Sequence, residues 1–474
     1  MTLRELMEDG GAPALEVTDL AYSSDRVAPG ALFFCVPGFR SDGHDHAPAA
    51  VARGAAALVC ERPLSLGVPE VLVPDVRAAM GSVAARFFGH PTRELRVVGV
   101  TGTNGKTTTA FLARDLLEAG GLRTGLLGTV KSVIGGREEP VERTTPEAID
   151  LQRLFRRMLD GGDSACVIEV SSHALELRRA DGVELAARVF TNLTQDHLDF
   201  HPTLEHYFLA KRRLFAGPGA SIVNLDDAYG RRIAGEIADV TTFAIDRPAD
   251  YRALDVSFDT AGSSFTCETP DGRIDLTTRL PGRFNVQNAL AAVAVARTLG
   301  IDAAAIAPAL AAAERVPGRF EPVDEGQGFA VLVDYAHTPD SLENVLRAAR
   351  ALTGARLHVV FGAGGDRDRS KRPLMGRVAA ALSDRAIVTS DNPRSEDPEA
   401  IVDEVMIGAP DAEREVDRAR AIAWAIETAA PGDVVVIAGK GHEQGQELAG
   451  GRKEPFDDVA VAREALRAAL GVSR

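Results

Sequence analysis

The chain has 474 residues, 45% of them apolar and 26% charged, with a formal net charge of −15 at pH 7. That length exceeds one ordinary hydrophobic core and predicts about three domains, and no apolar run is long enough to cross a bilayer. The acidic balance argues against a nucleic-acid partner, because phosphate backbones are held mainly by Lys and Arg. Small anions remain open to local basic pockets such as GGDRDRSKR at 364–372.

The opening MTLRELMEDGG lacks the basic-then-apolar pattern of a secretory signal, so a cytoplasmic protein without membrane insertion is expected. Cys35, Cys60, Cys166 and Cys267 are scattered, with no CxxC and no zinc spacing, which predicts reduced, buried thiols and no structural metal. Along the chain, short Val/Ile/Leu/Phe runs alternate with Ala/Leu/Arg-rich helical stretches, the pattern of an α/β fold with parallel sheets. ALFFCV (31–36) and AALVC (56–60) are strand candidates, and a boundary falls at GHPTREL before residue 93. A second falls near VPGRFEPVDEGQG (316–328), where Pro and Gly interrupt the Ala-rich helices of 289–313 and a fresh strand, FAVLVDYAH (329–337), begins. The expected domains are therefore 1–92, 93–316 and 317–474.

The segment from 97 to 121 carries the strongest chemical signal. LRVVGV reads as a buried strand, TGTNGK as a tight loop and TTTAFLARDLLEAGG as a helix ending at glycine. A phosphate would meet the free N–H groups of the helix start. Gly102 and Gly105 let the backbone come close, Lys106 supplies a cation, and the Thr107 hydroxyl can meet Mg²⁺. The spacing is GxxGKT, two residues shorter than the general GxxxxGK[ST] pattern. The strand, loop and helix nevertheless follow in the required order.

Three later stretches sharpen that reading. ACVIEVSSHAL (165–175) delivers Glu169, Ser171 and His173 to the carboxyl end of a strand, where open α/β sheets place ligands. NLTQDHLDFH (192–201) puts His197 in a comparable position after another strand. A carboxylate and an imidazole near such a loop can make a Mg²⁺-nucleotide site. EHYFLAKRRLF (205–215), read as one helix, sets Lys211 among Tyr207, Phe208, Leu214 and Phe215. Either this lysine snorkels over the core, or desolvation favours the neutral amine that can take up carbon dioxide as a carbamate.

TGTNGKT, EVSSHAL, NLTQDHLDFH and YFLAKRRLF, in this order, closely resemble the Mur ligases of bacterial cell-wall synthesis. DYAHTPDSL, FGAGGDRDRSKRPLMG, DNPRSEDP and GKGHEQ extend the resemblance over nearly the whole chain. It implies three α/β domains: one for a UDP-sugar, a central P-loop ATPase sheet, and a C-terminal Rossmann-like domain that brings an amino acid. It also implies ATP-dependent amide-bond formation, in which a substrate carboxylate takes the γ-phosphoryl of ATP and the resulting acyl phosphate meets an amine. ATP and Mg²⁺ are the implied cofactors, UDP-MurNAc-L-Ala-D-Glu and a diamino acid the partners, and a monomer the expected state.

The resemblance also assigns residues. Gly102, Thr103, Asn104, Gly105, Lys106, Thr107 and Thr108 would hold the ATP phosphates, Asn288 the adenine, Arg319 a phosphate and Asp334 the ribose. Thr107 and Glu169 belong to one Mg²⁺ site, His197 and a carbamylated Lys211 to the second. Thr144, Thr145, Ser171 and Arg179 match positions that hold the muramoyl peptide, although Leu177 replaces a glutamine found in some members. The uridine signature commonly reads DSR, whereas here Ser24 and Asp25 lie in SSDRVAPG. For the amino acid, Arg394 is the arginine that would pair with the second carboxylate of meso-diaminopimelate and repel the bare ammonium of lysine or ornithine. Asp391, Asn392 and Pro393 support it, with Arg367 on the α-carboxylate side and Gly439 and Glu443 closing the pocket. The same DNPR stretch also reads as an Asn-Pro turn before a helix capped by Asp397 and begun by Pro398. Addition of L-lysine or L-ornithine, and a sister activity such as folylpolyglutamate synthetase, are the alternatives.

Overall fold

The structure, a computed structural model, describes residues 1–38 and 41–471. The chain forms two compact units: Met1–Thr101 with Gly121–Arg188 and Ala210–Gly219, and Gly102–Gly120 with Val189–Leu209 and Ala220–Arg474.

In the first unit, four parallel strands, Asp19–Ala21, Ala31–Phe34, Ala57–Cys60 and Glu70–Leu72, lie side by side in that order. All four residues of Ala31–Phe34 and of Ala57–Cys60 are buried, as continuous apolar runs in a two-sided sheet should be. The side chains alternate between two cores. Leu32 and Phe34 join Leu3, Leu6, Met80 and Val83 on one face, while Phe33 and Cys35 meet Ala47 and Ala50 on the other. A second group of strands sets Ala165–Glu169 between Arg96–Thr101 and Thr124–Leu127, all parallel. The antiparallel pieces Ser132–Ile134 and Arg137–Glu139 extend it. Glu169 therefore stands at the carboxyl end of a strand paired on both sides.

The second unit holds a parallel run, Ala220–Asn224, Val240–Ala244 and Tyr251–Phe258, continued by the antiparallel strands Ser263–Thr269 and Gly272–Thr278. It also holds a six-stranded sheet in the order Glu321–Pro322, Ala330–Asp334, Val434–Ala438, Leu357–Phe361, Arg385–Val388 and Glu413–Arg414. Only the first of these is antiparallel to its neighbour. Leu332, Val434 and Val436 face helices Pro339–Ala351, Lys371–Leu382 and Pro398–Met406, whereas Val331, Val333, Val435 and Ile437 face Arg418–Glu427 and Asp458–Ala469. Helices on both faces of a parallel sheet define a doubly wound α/β fold. On the second of these faces sits the only tryptophan, Trp424, with the Arg385 guanidinium 4.7 Å from its ring centre.

Local readings of the sequence translate directly. The glycine-loop helix runs Lys106–Ala119, the Ala-rich stretch is two helices, Arg283–Thr298 and Ala303–Ala312, and Asp397 caps the helix begun by Pro398. All four cysteines are free and buried. One reading changes: EHYFLAKRRLF is not a single helix. The α-helix is Leu204–Arg212 and tightens into a 3₁₀ turn at Arg213–Phe215, so Leu214 and Phe215 do not share the α-helical face of Lys211. Among the described residues no helix is long and apolar enough to cross a membrane.

Candidate active site

The turn at 102–105 opens the helix Lys106–Ala119, and its shape is fixed from beneath. Asn104 donates its backbone N–H to the Asn192 side chain at 2.9 Å, and the Thr191 hydroxyl donates to the Asn104 carbonyl at 2.6 Å. Gly102 and Gly105 have φ of +152° and +84°. A Cβ at Gly102 would lie 1.8 Å from Thr191 Oγ1, and one at Gly105 2.3 Å from Asn288 Oδ1. Glycine is thus demanded here by the protein's own packing, besides any approach of a ligand.

Lys106 Nζ donates to the carbonyls of Gly102 and Thr103, both at 2.9 Å, and so lies back across the loop. Thr107 is buried and its hydroxyl accepts from Arg319 Nη2 at 3.0 Å; Thr108 is buried as well. The Arg319 guanidinium stands 4.5 Å from the ring centre of Tyr335. Asn288 is placed under the loop, where its amide meets Thr109 at 3.4 Å and Asn285 at 3.2 Å. Asp334 ends its strand with the carboxylate accepting the Phe320 N–H at 2.7 Å. Burial pushes this carboxyl up to about 6, against Arg319 and the backbone donors.

Within the same unit, a cavity of about 170 Å³ gathers Arg367, Asp391, Asn392, Arg394, Gly439 and Glu443 with His197. Arg394, at φ +53°, donates Nε to Glu447 at 2.7 Å and Nη1 to the Gly365 carbonyl at 2.8 Å. Arg367 donates to the Asp366 carbonyl at 3.0 Å. Pro393 is buried between Asn392 and Arg394. Gly439, at φ +126°, brings its backbone against Asp391, whose carboxylate oxygen a Cβ would meet at 2.5 Å.

His197 itself has φ +54°, and its Nε2 lies 3.3 Å from Asp196. Burial pushes the Asp196 carboxyl up, but His197, His337 and Lys371 outweigh that and hold it well below the usual carboxylate range. His337 Nδ1 lies 2.8 Å from the Tyr335 carbonyl, which can only accept, so Nδ1 carries the proton. Burial, then Lys371, lowers the pKa of this imidazole and favours its neutral form.

Sequence reasoning gave no role to Tyr335, His337, Lys371 or Asp196. A positional signal was available for three of them. Tyr335 and His337 follow the strand ending at Asp334, Lys371 follows the one ending at Phe361, and the DNPR and GKG stretches follow Val388 and Ala438. These strands are parallel, so their carboxyl ends open on one edge, where such sheets bind ligands.

The first unit contains the remaining candidates. Glu169 is buried, accepting the Thr129 N–H at 2.8 Å and its hydroxyl at 3.1 Å. Thr145 donates its hydroxyl to the Glu169 carbonyl at 2.9 Å and accepts the Ser171 N–H at 3.1 Å. Ser171 caps the short helix Ser172–Glu176, and Thr144 meets the Thr129 hydroxyl at 3.1 Å. Arg179 pairs with Glu147 at 2.9 Å. Lys211 is only 1% exposed. Ser24 and Asp25 lie apart from this cluster in sequence, on a 3₁₀ turn, where Arg53 bonds the Ser24 carbonyl and the Asp25 carboxylate, each at 3.0 Å.

A strand, a glycine loop and a lysine-led helix, followed by a doubly wound sheet with a charged cavity at its strand ends, define a nucleotide-using α/β enzyme. The Mur ligase middle domain matches residues 100–296, the Mur ligase glutamate ligase domain residues 318–441, and the Mur ligase family catalytic domain residues 16–88. The chain belongs to the Mur ligase family and is an ATP-dependent ligase. It is 48% identical to the UDP-N-acetylmuramoyl-L-alanyl-D-glutamate--2,6-diaminopimelate ligase of Geobacillus kaustophilus, over 97% of this chain and 96% of that one. To the ligase of the same name from Streptomyces coelicolor it is also 48% identical, over 98% and 94%. A solved structure of a UDP-N-acetylmuramoyl-L-alanyl-D-glutamate--2,6-diaminopimelate ligase superposes with a TM-score of 0.72 at 34% identity, covering 99% of both chains.

Proposed function

We propose that this chain adds meso-diaminopimelate to UDP-MurNAc-L-Ala-D-Glu, consuming ATP through an acyl phosphate, as a cytoplasmic monomer in peptidoglycan precursor synthesis. The observation that carries the choice of amino acid is the mixed charge of one cavity. Arg394 and Arg367 offer cations for two carboxylates, and Asp391 and Glu443 offer anions for an ammonium. Lysine and ornithine lack the second carboxylate and would leave an arginine without its partner. The names of the relatives support the same reading against a folylpolyglutamate synthetase.

The chain's own groups suit each step. Lys106, now on two carbonyls of its loop, would exchange them for phosphate oxygens, and the helix start behind it favours the same anions. Arg319, held against Thr107, would stand beside those phosphates, and Asp334 and Asn288 would face the nucleoside. Thr144, Thr145, Ser171 and Arg179 would hold the muramoyl peptide, with Ser24 and Asp25 near the uridine. The amine of the amino acid would then attack the acyl carbon, and phosphate would leave.

The donors proposed for Mg²⁺, the Glu169 carboxylate and the Thr107 hydroxyl, are hard oxygens and fit that ion. Mg²⁺ in nucleotide sites commonly takes one or two protein ligands and completes its shell with phosphates and water. When bound, Mg²⁺ neutralises the oxygens crowded around the transferring phosphoryl. For the second ion we propose His197 and a carbamylated Lys211, a reading supported by the burial of that lysine. A carbamate carbon signal after ¹³C-bicarbonate labelling, lost in Lys211→Ala, is expected; a spectrum without it overturns the carbamate. We propose domains at 1–92, 93–316 and 317–474, a reading supported by family matches at 16–88, 100–296 and 318–441.

Phosphate release from ATP with UDP-MurNAc-L-Ala-D-Glu, adding diaminopimelate, lysine, ornithine or nothing, tests the whole proposal. Stimulation by diaminopimelate alone is expected. Stimulation by lysine or ornithine would keep the ligase and overturn the pocket, and silence with all three would point to a sister ligase.

A further inference from the structure

Lys440 is fully buried, two residues beyond the carboxyl end of the strand Val434–Ala438. Its Nζ donates to Asn392 Oδ1 at 2.8 Å and to Glu443 Oε2 at 3.2 Å, and it stands 3.8 Å from Asp391 Oδ1. Two of these contacts are hydrogen bonds, and the third, to Asp391, is an ion pair beyond hydrogen-bond reach. The flanking Gly439 and Gly441 both have positive φ, and a Cβ at Gly441 would lie 2.7 Å from the Gly318 carbonyl oxygen. The turn that aims this lysine inward is therefore held by packing.

Each of its partners leads to one end of the amino-acid cavity. Asn392 Oδ1 also accepts the Glu447 N–H at 2.9 Å, and the Glu447 carboxylate holds Arg394 at 2.7 Å. Asn392 Nδ2 donates to Glu443 Oε2 at 2.8 Å, so that oxygen is occupied by Lys440 and Asn392 together. Glu443 Oε1 keeps one protein partner among the described residues, the Tyr335 hydroxyl at 3.4 Å, and lies on the residue that lines the cavity. Without the Lys440 amine, the Asp391 and Glu443 carboxylates that flank it would lose their nearest cation and keep only the more distant influence of the buried Arg418.

We infer that Lys440 is the positioning residue of the amino-acid site: it fixes the spacing between the arginine that reads a carboxylate and the glutamate that reads an ammonium, and thereby sets amino-acid selectivity. It touches no substrate and acts through Asn392 and Glu443. The inference rests on the ligase reading above, and deepens it.

Lys440→Met, of similar length and without charge, is the test, with steady-state phosphate release as the readout. The KM for the amino acid is expected to rise on the order of tenfold or more while the KM for ATP stays within about twofold. Preference for diaminopimelate over lysine should shrink. In the Glu443→Gln background the same substitution should cost clearly less, because the two residues act as one unit. Equal loss in both backgrounds, or equal change in both KM values with a lowered melting temperature, would make Lys440 merely structural and overturn the inference. Should Lys440→Met not fold, Lys440→Arg keeps the charge but not the compact geometry, and an unchanged amino-acid KM there overturns it equally. The wild-type enzyme separates the two failures. If lysine or ornithine is the amino acid it accepts, the diaminopimelate reading fails and the variants are run on that amino acid instead.

Discussion

The glycine loop and the amino-acid cavity solve the same problem, holding anions, in opposite ways. In the loop, the groups that would meet phosphate are contiguous from Gly102 to Thr108, and one helix start supplies the field. In the cavity they come from separate stretches around Arg367, Asp391–Arg394 and Gly439–Glu443, brought together because parallel strands end on one edge of a sheet. Contiguity makes the first resistant to changes elsewhere but intolerant within. Dispersal makes the second depend on buried connectors such as Lys440 and the fully buried Arg418–Asp458 pair, whose Arg418 also donates to the Ala438 carbonyl at 3.0 Å.

That contrast can be broken or sharpened by measurement. Lys106→Ala should lower kcat on the order of a thousandfold with little change in stability, since it removes a transition-state cation from a helix that tolerates alanine. A melting temperature that falls with activity would show the loop to be no self-contained device.

Next is pH. Asp334 has its folded-state pKa raised to about 6 from 3.8, so the folded protein binds more protons than the unfolded one between those values. Its contribution to stability is favourable below about pH 4 and is lost as pH rises to about 6, amounting at the limit to about 3 kcal/mol. Asp334→Asn, which keeps an acceptor for the Phe320 N–H, should be less sensitive to pH than the wild type across that window in urea titrations. Parallel curves would remove the effect.

Arg394→Ala should raise the KM for diaminopimelate by about 30-fold, near 2 kcal/mol for a lost charge-assisted pair, and leave the KM for ATP unchanged. Equal changes in both would mean that the two sites are not independent. The smallest expected effect is Gly105→Ala, about 1–2 kcal/mol of destabilisation from positive φ and the contact with Asn288, partly relieved in Asn288→Ala. Absence of relief in a double-mutant melt would place the cost in the backbone alone.

The same contrast explains what could be read from the sequence. The loop, its helix and the cap at Asp397 depend on neighbours a few residues away, so their residue types spell out their conformations. The α/β class follows for the same reason, because buried parallel strands are continuous apolar runs. Lys440 and His337 could not be assigned roles that way. Their meaning depends on which strand lies next to which, and the order that puts Val434–Ala438 between Ala330–Asp334 and Leu357–Phe361 is not a local property. The shortened helix at Lys211 is an intermediate case: periodicity carried the helical pattern through Arg213–Phe215, where the backbone tightens instead.

Trp424, the sole indole, stands partly exposed on the helix Arg418–Glu427 with the Arg385 guanidinium over its ring, away from the cluster that includes Phe361 and Met375. Its fluorescence is therefore a single-site probe. It should follow the unfolding of the sheet that carries Val434–Ala438 and remain quiet when nucleotide occupies the loop, so one spectroscopic channel can separate collapse of the scaffold from occupancy of the site.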